Sequence, residues 1–179
     1  MRYIFFFLMV LMSSQLTSAY ENAFPKTDVG TIEIKTLPAA KLLIACSDSN
    51  YFDENSNLFR PLFRYIQTND IPMTTPVEAE INPGAMYFYV GSDHKDRKLE
   101  NTDEVNVIEL QERTVLSLGV RGSYNSESFD AAQKTLIAHL AEQNEWLQTG
   151  PARAIYWNGP FTLGFLKRSE VHIPVERKK

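Results

Sequence analysis

The sequence predicts an α+β domain: a pseudo-twofold repeat of two βαββ-like units that form an antiparallel sheet or distorted open barrel flanked by two helices. Three observations lead there. Short alternating or continuous apolar runs recur at 31–35 (TIEIK), 42–45, 77–81, 86–90, 104–110, 154–157 and 171–175, each of strand length. Two longer stretches, near 57–67 and 126–147, carry apolar residues at helical spacing. The two halves also echo one another. Residues 104–110 (EVNVIEL) repeat 31–37 (TIEIKTL), so Val105 falls on Ile32, Val107 on Ile34 and Leu110 on Leu37, and Val115 follows Leu42 at the same offset. Tyr124 matches Tyr51 and, one residue later in register, Leu136, Ile137 and Leu140 match Leu62, Phe63 and Ile66.

The elements follow in order. Residues 1–19 open with Arg2, run apolar from Tyr3 to Met12 and end Thr17-Ser18-Ala19, the pattern of a cleaved signal peptide. The apolar run is shorter than the roughly 20 residues of a spanning helix. Cleavage predicts export, periplasmic or secreted, and no membrane span afterwards. Residues 20–30 form a flexible polar leader. A single domain occupies 31–175, with repeats at about 31–90 and 104–175, and 176–179 is a basic tail. In the first repeat two strands precede a helix capped by Ser56 or Asn57 and running to about Gln67, with Phe59, Leu62, Phe63 and Ile66 on one stripe. Val77–Ile81 and Met86–Val90 then make a hairpin about Asn82-Pro83-Gly84. A charged loop, SDHKDRKLENTDE, leads to the second repeat. There a helix from Ser126 or Ser128 to Leu147 carries Phe129, Ala132, Leu136, Leu140 and Leu147, and strands at 154–157 and 171–175 close the domain.

Composition excludes some functions and leaves others. The chain has 179 residues and a formal charge of −4, with 18 Lys and Arg against 22 Asp and Glu. Nucleic-acid binding is not expected, because binders usually present a basic surface. Cys46 is the single cysteine, so no internal disulfide supports the fold. No nucleophile elbow, zinc-protease, Walker or dinucleotide motif occurs. The three histidines, His94, His139 and His172, are too scattered for a metal-ligand spacing. A lone axial ligand to a porphyrin demands less. His139, beside Ala132 on its helix wheel, is the weak candidate for that role. Strand alternation turns His172 away from Val171 and Ile173, toward solvent, and puts Glu78 and Glu80 on one solvated strand face. Arg60 and Arg64 stand one helical turn apart, off the apolar stripe, where they can hold two carboxylates of an anionic ligand.

The block LFRPLFRYIQTNDIPMTTPVEAEI resembles the SOUL haem-binding protein family, through Phe59, Leu62, Tyr65, Ile66, Asn69, Met73, Thr74, Pro76 and Val77. A second block, YWNGPFTLGFLKRSEVHIPV, is similar to that family's end motif at Tyr156, Pro160, Arg168, Glu170 and Val171. The resemblance spans about Thr31 to Val175 and implies a pseudo-twofold barrel-like fold. It also implies non-enzymatic binding of haem or a related tetrapyrrole in an apolar groove beside the first helix, and a monomer is expected. On that implication Leu58, Tyr65, Met73 and Met86 contact the ring, and Arg60 or Arg64 takes a propionate. Two alternatives remain at this stage. One is a module for another apolar small molecule or a protein partner. The other is an enzyme that removes metal from a tetrapyrrole.

Overall fold

The computed structural model describes residues 20–159 and 161–178. The signal-peptide expectation for 1–19 and Pro160 of the end motif lie outside the described residues. Among the described residues eleven strands and two α-helices follow one another as β1 (Glu21–Asn22), β2 (Ile32–Leu37), β3 (Ala40–Cys46), α1 (Tyr51–Thr68), β4 (Thr74–Thr75), β5 (Val77–Glu80), β6 (Ala85–Tyr89), β7 (Asn106–Leu110), β8 (Arg113–Arg121), α2 (Ser126–Glu142), β9 (Trp146–Gln148), β10 (Arg153–Tyr156) and β11 (Arg168–Arg177). The main sheet has the order β2-β8-β11-β10-β5-β6-β3-β7, antiparallel throughout, with β9 added to the end of β11. It is curled into a half-barrel with both helices on one side. The α+β class expected from the sequence is the observed one.

The strand order is consistent with the sequence echo. Exchanging β2 with β7, β3 with β8, β5 with β10 and β6 with β11 reverses the order onto itself. Matched residues also meet matched surroundings. Leu62 and Leu136 are both fully buried, while Phe63 and Ile137 are 39% and 45% exposed. Tyr51 and Tyr124 both pack on Tyr156, with ring centroids at 5.8 and 4.4 Å.

Both helices differ from expectation at an end. Helix α1 starts earlier, because the Asn50 side chain already accepts a hydrogen bond from Phe52 N at 3.0 Å, and Asp53 and Glu54 suit the positive N-terminal dipole. The buried stripe is consequently Tyr51, Leu58, Leu62, Tyr65 and Ile66, with Phe59 half-buried and Phe63 at the margin. Pro61 sits well inside this helix and leaves the carbonyl of Asn57 without its usual i+4 donor. The helix ends where Asp70 adopts a left-handed φ of 50°, letting Ile71 N reach Ile66 O at 2.9 Å. Helix α2, capped by Asn125 onto Ser128 N at 2.8 Å, stops at Glu142 rather than Leu147. Leu147 instead lies on β9, pairing with Glu176, and is half exposed.

The sheet has two unlike faces, as strand periodicity requires. The helix-side face presents Leu43, Met86, Phe88, Leu116, Val171 and Ile173 to α1 and α2, in one continuous apolar core. The concave face carries Leu42, Tyr87, Tyr89, Val115 and Ile155, with Phe24 and Trp157 packed on them.

Candidate functional site

Two places concentrate chemistry. The first is a cleft of about 320 Å³ on one flank of α1, between that helix, the end of β3 and the segment before β7. Asn57, Leu58 and Pro61 form the helix wall, and Cys46, Asp103 and Glu104 face them. Pro61 lies on that wall and cannot make the backbone bond to the Asn57 carbonyl that another residue would make there. Arg64 extends along the same flank and donates from Nη1 to Glu104 Oε2 at 2.9 Å. Both partners are more than half exposed, so the pair contributes only about 0–1 kcal/mol and exchanges readily for another anion. Cys46 is exposed in the cleft, and burial followed by the charge of Glu80 pushes its thiol above the ordinary range. It therefore stays protonated near neutrality and makes a poor anionic ligand.

The second place is the concave face, where two carboxylates are almost fully buried. Glu78 on β5 accepts from Arg113 Nη2 and Arg153 Nη1, each at 2.7 Å, and from the Tyr89 hydroxyl. Burial acts to raise the Glu78 pKa, but the two guanidinium groups outweigh it and hold the carboxylate charged. Glu170 on β11 accepts from Lys35 Nζ at 2.6 Å, Trp157 Nε1 at 2.7 Å, Ser117 Oγ at 3.0 Å and Thr27 N at 2.8 Å, and meets His172 Nε2 at 2.7 Å. Burial again pushes upward, and the hydrogen bond from His172 with the bond and charge of Lys35 overrides it, leaving Glu170 at about 2. His172 itself is buried, and that burial lowers its pKa against the pull of Glu170.

These geometries correct two solvent readings. Glu78 is 1% exposed and His172 is 2% exposed. Alternation assigned both to the correct side of their strands, but that side is the interior of the curled sheet rather than solvent. Glu80 remains at the edge, accepting from the Tyr87 hydroxyl at 2.7 Å.

A family profile described as SOUL heme-binding protein matches residues 12–174. The chain belongs to that family. Haem binding is thus its function at the level of the SOUL family. Solved structures are similar in fold at low identity. The C-terminal domain of EcmrR aligns with a TM-score of 0.67 and 15% identity, over 83% of this chain and 98% of that one. In the EcmrR–DNA complex the values are 0.67 and 16%, with 83% of this chain covered and 58% of the longer EcmrR chain. An uncharacterized conserved protein from Listeria innocua gives 0.57 and 13%, over 83% and 93%. No curated protein matches in sequence.

Against the haem-binding expectation, the SOUL-type residues divide into layers. Leu58 lines the α1 cleft and Arg64 stands on its flank, while Arg60 is exposed on the outer side of the helix. Tyr65 is buried and donates its hydroxyl to Glu100 O at 2.8 Å, and Met86 is 3% exposed beneath α1. Met73 is half-buried against the same core. His139 lies on α2, over the other half of the sheet, ten residues or about 15 Å along the helix from the Phe129 contact with Phe52 of α1. Among the described residues no group of three or more His, Cys, Asp or Glu could hold a metal ion, and no helix is long and apolar enough to cross a membrane. The cleft has a small apolar wall of Ala45, Leu58 and Pro61 facing a polar one of Cys46, Asp103, Glu104 and Asn106, with Arg64 on its flank, and its residues supply no strong axial ligand. Sequence reasoning missed Asn57, Pro61, Cys46, Asp103 and Glu104 as cleft residues, and the Glu78 and Glu170 clusters entirely. The one local signal, for the Glu78 cluster alone, was acid at alternate positions of VEAE with Arg at 113 and 153.

Proposed function

We propose that this SOUL protein is an exported, non-enzymatic binder of haem or a related tetrapyrrole, held at the cleft beside α1. The observation that carries the placement is Arg64, a cation on the flank of a part-apolar cleft, tied only weakly to an exposed glutamate. Leu58, Pro61 and Ala45 offer the ring an apolar wall, and Arg64 offers a charge-assisted bond to a propionate. Tyr65 and Met86 belong to the core beneath α1 and Met73 packs against it. When bound, a haem supplies iron-centred and light-absorbing chemistry; the chain binds, orients and partly shields it. Export rests on the apolar start and its Thr17-Ser18-Ala19 end.

Titration of haemin into the mature protein, followed by its Soret absorption, tests this reading. Saturable binding is expected, weakened about tenfold or more by Arg64→Ala, the loss of one charge-assisted bond of about 1.5–3 kcal/mol. Glu104→Gln should tighten binding by releasing Arg64. An unsaturable signal that neither change affects would overturn the placement, and steady accumulation of metal-free porphyrin would overturn the non-enzymatic role.

A further inference from the structure

Residues 21–30 run along the open side of the half-barrel as a strap. Of these ten only Phe24 and Thr27 are buried, at 4% and 2% exposed. Backbone contacts hold the strap at both ends: β1 pairs with β4, Ala23 N reaches Thr75 O at 2.8 Å, and Gly30 N reaches Gly119 O at 2.8 Å. Phe24 enters a box of Tyr89 and Trp157, each met edge-on at 5.6 and 5.4 Å, with His172 at 5.8 Å and Lys35 Nζ 5.2 Å from its ring centre. Thr27 gives its N–H to Glu170 at 2.8 Å and its hydroxyl to Glu33 Oε1 at 2.7 Å, with Glu170 Oε2 at 3.2 Å, and the Pro25 carbonyl accepts from Lys35 Nζ at 3.1 Å.

A phenyl ring lodged among a carboxylate, an ammonium and an imidazole is an odd way to build a core. Buried ion pairs cost desolvation that an apolar filling of equal volume avoids. One atom of the box is left unmet as well. With Nε2–H given to Glu170, His172 Nδ1 is an acceptor, and it is buried with no hydrogen-bond partner. Such an atom carries the full penalty of an unmade bond. The strap satisfies the ring-shaped and Glu170-facing parts of the box and leaves that acceptor over.

We propose that this box is a second ligand site, blocked in the resting protein by Phe24 and Thr27. The strap displays the chemistry of the ligand: an aromatic ring, a carbonyl for Lys35 and N–H or O–H donors for Glu170 and His172. The class is a small aromatic amide. This site lies on the face of the sheet opposite α1, so its fate is separate from that of the tetrapyrrole cleft.

Two variants open the box by different routes. Phe24→Ala removes the plug. Gly119→Ala leaves the walls intact and evicts the strap, because a Cβ at 119 would lie 2.2 Å from Asp28 O and 2.8 Å from Thr27 O. In a Trp146→Phe background Trp157 alone reports, and N-acetyl-L-phenylalaninamide serves as the probe. Both variants should bind it at least tenfold more tightly than the parent, and adding Glu170→Gln to Gly119→Ala should abolish the gain. Equal affinity in the parent and in both folded variants would overturn the proposal. So would unfolding of both, which would make Phe24 an ordinary core side chain.

Discussion

The two faces of one sheet are built on different principles. On the helix side Leu62, Leu136, Leu43 and Ile173 interlock without a charge among them. Burial there is stabilising in proportion to apolar area, at about 25 cal/mol per Å². On the concave side Glu78 and Glu170, each 1% exposed, are surrounded by Arg113, Arg153, Lys35 and His172. Those charges offset one another's desolvation and leave little net gain. The difference separates what the fold requires from what it carries in addition: the helix side explains why the chain folds, and the concave side holds groups that stability alone does not call for.

The comparison breaks most visibly at Glu78. Glu78→Ala strands two guanidinium groups beside each other and should cost about 3–5 kcal/mol, as much as the about 2–5 kcal/mol of Leu62→Ala in the apolar core. Urea unfolding of the two variants decides it, and a near-neutral Glu78→Ala would mean that the concave charges are solvated. Acid should discriminate between the faces next. Glu170 is held at about 2 against an ordinary 4.5, so its stabilisation is complete above the ordinary value and is lost as pH falls toward 2, about 3 kcal/mol in all. His172 is held neutral by burial, so below about pH 6.5 the unfolded chain takes a proton that the folded chain refuses, and stability starts to decline there. Urea midpoints at pH 7, 5.5, 4 and 3 should fall in that sequence, and His172→Gln should flatten the first step while also shrinking the acid steps, because it removes a bond to Glu170.

A smaller effect belongs to the helix start. Asn50→Ala removes the cap of α1 and should cost about 1 kcal/mol, seen as an earlier thermal midpoint; no change would return the helix start to Ser56. The smallest is Arg64→Ala, which should shift stability by less than about 1 kcal/mol while weakening haemin binding, since its partner Glu104 is exposed.

How much of this was legible in the sequence follows from the kind of information each feature uses. The fold was accessible because its signals are local or repeated: TIEIK echoed by EVNVIEL, two apolar stripes, and the Asn82-Pro83-Gly84 hairpin, where Gly84 alone leaves room for Ser49 O and Tyr51 N. Helix ends were less accessible, since Asn50 and Ser56 are equally good caps in isolation and only the packing of Tyr51 chooses between them. Strand β8 was signalled only by Val115, and β9 is too short to show a period. The α1 cleft was half visible: Leu58 and Arg64 follow from the helix, but Cys46 and Glu104 join it through tertiary pairing. The Glu170 cluster was invisible, because its members come from positions 27, 35, 117, 157, 170 and 172 and meet only when the sheet curls.

Hydrogen exchange of backbone amides, with and without haemin, tests the assignment of the tetrapyrrole to the helix side most directly. The account predicts added protection at 57–64 and 103–106, around the α1 cleft, with 24–28 and 170–172 unchanged. Protection confined to 24–28 and 170–172 would contradict it and move the tetrapyrrole to the concave face.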